Sequence, residues 1–138
     1  MKATELRIGN VLTFLDKQVA VVAITETHAS IKGYELNRYT PVALDYTGLQ
    51  RIPLTEEILL KCGFDFSQFK KPMQTCGVDL FYGHDYYFKR IGYKTDLILR
   101  SLNGVFRIEC FYSTRIQYLH QLQNLYFALT GKELEVKL

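Results

Sequence analysis

Asn103-Gly104 constrains this chain more than any other feature, because it sits between two runs that alternate apolar and polar residues. An Asn-Gly pair in that position is the strongest short-range signal for a two-residue β-hairpin. A loop of that length also sets the register. Leu102 then faces Val105, Ser101 faces Phe106, Arg100 faces Arg107, Leu99 faces Ile108, Ile98 faces Glu109 and Leu97 faces Cys110. Alternation along each strand sorts these pairs by face. Leu97, Leu99, Phe106, Ile108 and Cys110 share a core face, while Ile98, Arg100, Arg107 and Glu109 share an amphipathic one. The strands expected here cover 85–91, 96–102 and 105–112.

The rest of the chain reads as a companion to that hairpin. Short β-rich runs at 11–15, 19–24 and 28–32 predict a small curled meander of SH3-like type. Residues 33–50 read as a long loop, with a further short strand near 49–52. Pro53, the N-cap residue Thr55 and the acidic pair Glu56-Glu57 open a helix that Gly63 closes. Leu54 and Leu59 stand at the two positions of a hydrophobic staple. Residues 67–77, interrupted by Lys70-Lys71-Pro72, read as an irregular connection. A second helix is expected over 114–130, capped by Ser113 and ended by Gly131, and the alternating tail 133–138 reads as a closing strand. The expected class is α+β: mostly antiparallel sheet, an N-terminal SH3-like meander and a C-terminal helix packed on a sheet. One domain is expected over 1–138, strand-rich to about residue 53.

Composition supports an ordinary folded protein, with 48% hydrophobic and 22% charged residues in 138. Ten Tyr and nine Phe stand beside no Trp. The net charge is +3, and its excess is concentrated in residues 67–118, which hold eight Lys/Arg against four Asp/Glu. Cys62, Cys76 and Cys110 form no Cys-x-x-Cys or Cys/His cluster, so neither a zinc site nor a disulfide framework is expected, and no cofactor. No apolar run reaches the roughly 18 residues that span a bilayer, and no signal-peptide pattern opens the chain, so the cytoplasm is the expected compartment. A glycine-rich phosphate loop, Gly-x-Ser-x-Gly and His-Glu-x-x-His are all missing.

Three segments carry a family likeness: Glu5-Leu6-Arg7-Ile8-Gly9-Asn10, then Ile52-Pro53-Leu54-Thr55-Glu56-Glu57, and a third from His120 through Leu125, Tyr126 and Thr130 to Gly131. Together they resemble a family of small uncharacterised proteins encoded in bacterial genomes, often in prophage-like or mobile regions. The resemblance implies that genomic setting and transfers no catalytic residue.

Two surfaces are candidates for binding. The first is a basic aromatic band that includes Tyr87, Lys89, Arg90, Arg100 and Arg107, the combination that holds single-stranded nucleic acid by stacking and charge. The alternative is that Glu109 neutralises the arginines and the tyrosines pack the sheet. The second is the last helix, which carries no formal charge between Arg115 and Lys132. Its polar face, Gln117, His120, Gln121 and Asn124, then meets another subunit or a protein partner, as charge-depleted interface centres do. The alternatives are a neutral solvated face, or burial within the same chain, for instance against its N-terminal sheet. His84 beside Asp85, and Cys110 with His120, are weaker catalytic candidates. The expected function is thus a non-catalytic interaction or accessory protein of a phage-like element that self-associates. A nucleic-acid-binding module comes next, and an enzyme with an unrecognised site last.

Overall fold

The structure is a computed structural model that describes residues 1–33, 42–68, 73–75, 78–80, 84–109 and 114–137. After a 3-10 turn at Ala3–Glu5, four strands follow: β1 (Val11–Phe14), β2 (Lys17–Ile24), β3 (His28–Lys32) and β4 (Val42–Asp45). They pair antiparallel in sequence order, which is the expected meander. Leu15 and Asp16 both take positive φ in the β1–β2 turn (48° and 59°). Thr13 and Gln50 exchange both backbone hydrogen bonds (3.0 and 2.8 Å), so the returning chain closes over the free edge of β1 in SH3-like fashion. That single bridge is all that forms of the strand expected near 49–52. Conversely, β4 lies inside the stretch read as loop. Leu6, Leu12, Val19, Val21, Ala29, Ile31 and Leu49 fill this sheet's core.

Helix α1 (Glu56–Lys61) begins and ends as its sequence dictates. The Thr55 hydroxyl accepts the Ile58 N–H at 3.3 Å, and Gly63 takes the left-handed conformation, φ 74°. Leu54 and Leu59 are both buried, as a staple requires.

The main sheet contains β5 (Asp65–Gln68), β8 (Asp85–Gly92), β9 (Thr95–Leu102), β10 (Val105–Ile108) and β11 (Arg115–Ile116). Its order is β11-β10-β9-β8-β5, and the short strands β6 (Met73–Thr75) and β7 (Val78–Leu80) make a separate hairpin. Within 67–77, expected to be an irregular connection, residues 67–68 and 73–75 are strand, and the others lie outside the described residues. Gln68 closes an edge strand against β8, and 73–75 form part of the hairpin. The β9–β10 register is the one Asn103-Gly104 imposes, from Val105↔Leu102 to Ile108↔Leu99, with Glu109 N–H donating to the Ile98 carbonyl at 3.0 Å. Asn103 and Gly104 both have positive φ, 51° and 74°. Cys110 and Ser113 lie outside the described residues.

Helix α2 (Leu119–Thr130) starts five residues later than expected. Arg115 and Ile116 extend the sheet instead, because pairing with Arg107 and Phe106 satisfies their backbone. Leu119 and Leu122 pack with Leu59, Cys62, Tyr87, Leu97, Leu99, Phe106 and Ile108 in the main core. The tail is not a strand. Leu134 drops into that core, and Lys137 N–H meets the Lys61 carbonyl at 3.3 Å. Among the described residues, no helix is long and apolar enough to cross a membrane.

Candidate functional site

Part of the uncharged face of α2 is occupied by the chain's own N-terminal segment and the first strand of its sheet. Gln123 is buried; its side-chain oxygen accepts Val11 N–H at 2.9 Å, and its amide donates to the Gly9 carbonyl at 3.3 Å. Asn124 accepts from the Asn10 amide at 2.8 Å and donates to the Glu5 carbonyl at 3.0 Å. A charged side chain at either position would be desolvated without a partner, which explains the missing charge physically. His120 is buried beside them at 1% exposure and stacks on Tyr118 with centroids 5.8 Å apart. Burial lowers its pKa, Arg51 lowers it further and Glu5 opposes both. Arg51 and Glu5 form their own ion pair at 2.6 Å. Gln121 works locally: its oxygen accepts Gln117 N–H at 2.9 Å and Tyr118 N–H at 3.2 Å, closing the start of α2. Gln117 is exposed. Of the four candidate interface residues, the structure thus turns His120 and Asn124 inward, within this chain.

The basic aromatic band divides between the two faces of the sheet. Tyr87 and Lys89 lie on the core side. Tyr87 is buried at 1% exposure, and burial with the nearby Glu56 carboxylate pushes its hydroxyl up to about 12. The Lys89 ammonium donates to the Cys62 carbonyl at 2.7 Å and the Gly63 carbonyl at 3.3 Å. It caps the C-terminus of α1, where free carbonyls and the helix dipole favour a cation. Arg90 lies on the opposite face, paired with Asp96 at 2.8 Å.

Arg100 and Arg107 share that outer face, and the structure adds a third member. Tyr86 pairs with Arg100, Arg100 with Arg107 and Arg107 with Arg115. Directly opposed residues project to the same side. Arg100, Arg107 and Arg115 therefore form a row across three adjacent strands, running in from the edge strand β11. Exposure falls inward, from Arg115 at the surface to Arg100, whose side chain is 14% exposed. Arg115 escaped the sequence reading because its stretch was assigned to a helix. The polar-apolar step Arg115-Ile116, in register with Arg107 and Phe106, was the available signal.

The neighbouring row is Phe88, Ile98 and Glu109. Ile98 and Tyr86 are buried with Phe88 packed on them, so this second face is also covered near its centre. Glu109 is enclosed at 1% exposure, with its Oε2 3.4 Å from Arg100 Nε. Neither of its oxygens has a hydrogen-bond partner. Burial raises its pKa, while Arg100 and then His84 pull it down. Of the neutralisation expected of Glu109 toward Arg100 and Arg107, the structure shows this long ion pair with Arg100. Burial pushes the Cys62 thiol up to about 11, so it stays protonated, and Cys110, the thiol weighed with His120, lies outside the described residues. Among the described residues no three metal-ligating side chains gather.

No family model matches the chain, and neither a curated protein nor a solved structure matches it.

Proposed function

We propose that this chain is a non-catalytic binding module that holds single-stranded nucleic acid at the β10–β11 end of the five-stranded sheet's outer face. The observation that carries the reading is the row Arg100, Arg107 and Arg115 on neighbouring strands. Strands sit roughly 4.8 Å apart, so three guanidiniums are ranked at short, regular intervals. Like charges placed abreast are mutually unfavourable, and a run of successive phosphates is a partner suited to a row of them. The guanidinium fork also matches phosphate geometry. Self-association was motivated by the uncharged α2 face, and the same-chain contacts of Gln123 and Asn124 account for that feature without a second subunit. The family likeness, with its setting in phage-like or mobile elements, is in keeping with a nucleic-acid partner.

Fluorescence anisotropy with a labelled oligothymidylate tests the reading. Three phosphate contacts on a single strand predict that log K falls against log salt with a slope of about −2. Arg107→Glu/Arg115→Glu should abolish binding while leaving the circular dichroism spectrum intact. Failure of the wild type to bind at about 50 mM salt would sink the proposal.

A further inference from the structure

The arginine row has two flanks, and they differ. On one side lie Phe88, Ile98 and Glu109. Ile98 is 2% exposed and Glu109 1%, so that flank has no room for a bound strand. The other flank runs toward the Asn103-Gly104 turn. Leu102 and Val105 pair there, two residues along from Arg100 and Arg107, so strand alternation puts them on the same face as the arginines. Two residues of strand cover about 6.6 Å. Gln117 stands two residues beyond Arg115 and is still paired in extended backbone, its carbonyl accepting Leu54 N–H at 2.8 Å. Leu102 is 48% exposed, Val105 is half-buried, and Arg115 and Gln117 are exposed. This flank is open where the other is closed.

A strand whose phosphates follow the arginines turns its bases to one side, and the flank by the turn is the one that can receive them. The surface waiting there is aliphatic. The rings of this face stand elsewhere: Tyr86 is fully buried at the inner end of the row, and Phe88 packs on it from the closed flank. A base over Leu102 and Val105 is therefore held by apolar contact rather than by ring stacking. Thymine suits such a surface, because its 5-methyl group is an apolar substituent that uracil lacks.

We propose that the ligand is single-stranded DNA, with a thymine seated on Leu102 and Val105 through its 5-methyl group, and that these two residues set the base preference. The inference rests on the nucleic-acid reading and names its substrate. The arginines hold the backbone and are blind to sequence; the aliphatic pair beside them reads the base. Gln117, at the outer end of the same flank, offers an amide that both donates and accepts to the polar edge of the base.

Labelled oligothymidylate and oligodeoxyuridylate of equal length differ in that methyl group alone. Wild type should bind the thymine strand about fourfold tighter, the worth of one methyl taken out of water. Both strands should give the same salt slope, since their phosphates are identical. Leu102→Ser should erase the preference and keep the slope. Arg115→Glu should weaken both strands alike and flatten the slope. In methyl-resolved NMR of the wild type, the Leu102 and Val105 methyl signals should move on addition of oligothymidylate while those of Ile98 stay. That readout needs no variant, so it holds even if Leu102→Ser folds poorly. Equal affinity for the two strands, a preference that survives in Leu102→Ser, or unmoved Leu102 and Val105 signals overturn this inference alone. Absence of binding to either strand at about 50 mM salt overturns the nucleic-acid reading as well.

Discussion

At the residue scale, His120 shows how burial converts a side chain into a pH-dependent contribution to stability. Its pKa is lowered in the folded state, chiefly by desolvation, from the ordinary 6.5. The unfolded chain then binds more protons below that value, so the contribution is complete above about pH 6.5 and is lost as pH falls beneath it. Glu109 has the opposite sign. Its raised pKa stabilises the fold toward acid and is lost as pH rises through the folded value. Comparing wild type with His120→Phe isolates the histidine, because Glu109 is common to both. Phe keeps the stack on Tyr118 without titrating, so the melting temperature of wild type should drop more steeply from pH 7 to pH 5. Parallel profiles would show that His120 carries no such linkage. His120 was legible in the sequence as a polar residue on an uncharged face, with a partner, solvent or the chain's own N-terminal sheet left open as what meets it. Periodicity places a residue on a face of a helix and is silent on what covers that face.

At the scale of elements, local chemistry was readable wherever a turn or a cap decides the outcome. The Asn103-Gly104 turn, the Thr55 cap and the Gly63 stop are short-range effects, and each stands in the structure as its residues require. Elements that need a distant partner were missed. β5 exists because Asp65 to Gln68 pair with Phe88 to Asp85, and β11 because Arg115 and Ile116 pair with β10. Both rest on tertiary context that overrides weak local propensity. The arginine row inherits that division: Arg100 opposite Arg107 followed from the turn, and Arg115 did not. Gly104 gives a direct test of the turn. A Cβ there meets nothing within 4 Å, so substitution is penalised through backbone conformation alone, φ 74°. Gly104→Ala should lower unfolding free energy by about 1–2 kcal/mol in denaturant titration, the penalty of an L-residue in the left-handed region. A change below a few tenths would mean that the turn relaxes into another form.

At the scale of the molecule, two apolar cores are joined by a polar seam. One core lies under the N-terminal meander and the other between the main sheet and the helices. Between them the side chains of Gln123 and Asn124 bond Val11, Gly9, Asn10 and Glu5. Arg7 adds a bidentate pair with Glu133, both contacts 2.7 Å, and its guanidinium lies 3.8 Å over the Phe127 ring. Gln123→Ala/Asn124→Ala leaves buried donors and acceptors of the meander unsatisfied, each costing about 1–3 kcal/mol. Hydrogen exchange should then quicken selectively in β1 and β2, while β8 and β9 stay protected. Uniform acceleration across both sheets would mean that the two cores unfold as one unit regardless of the seam.

The long reach of that seam bears on how the chain is made. Asn10 waits for Asn124, a separation of 114 residues, and Val11 for Gln123, a separation of 112. A ribosome adding about 5–20 residues each second needs several seconds to travel that far. Throughout that interval the strands synthesised first have their neighbours in the meander but not the amides that fasten them down. The nascent N-terminal sheet is therefore a holding structure, vulnerable to proteolysis and to chaperone capture until residue 124 has cleared the exit tunnel.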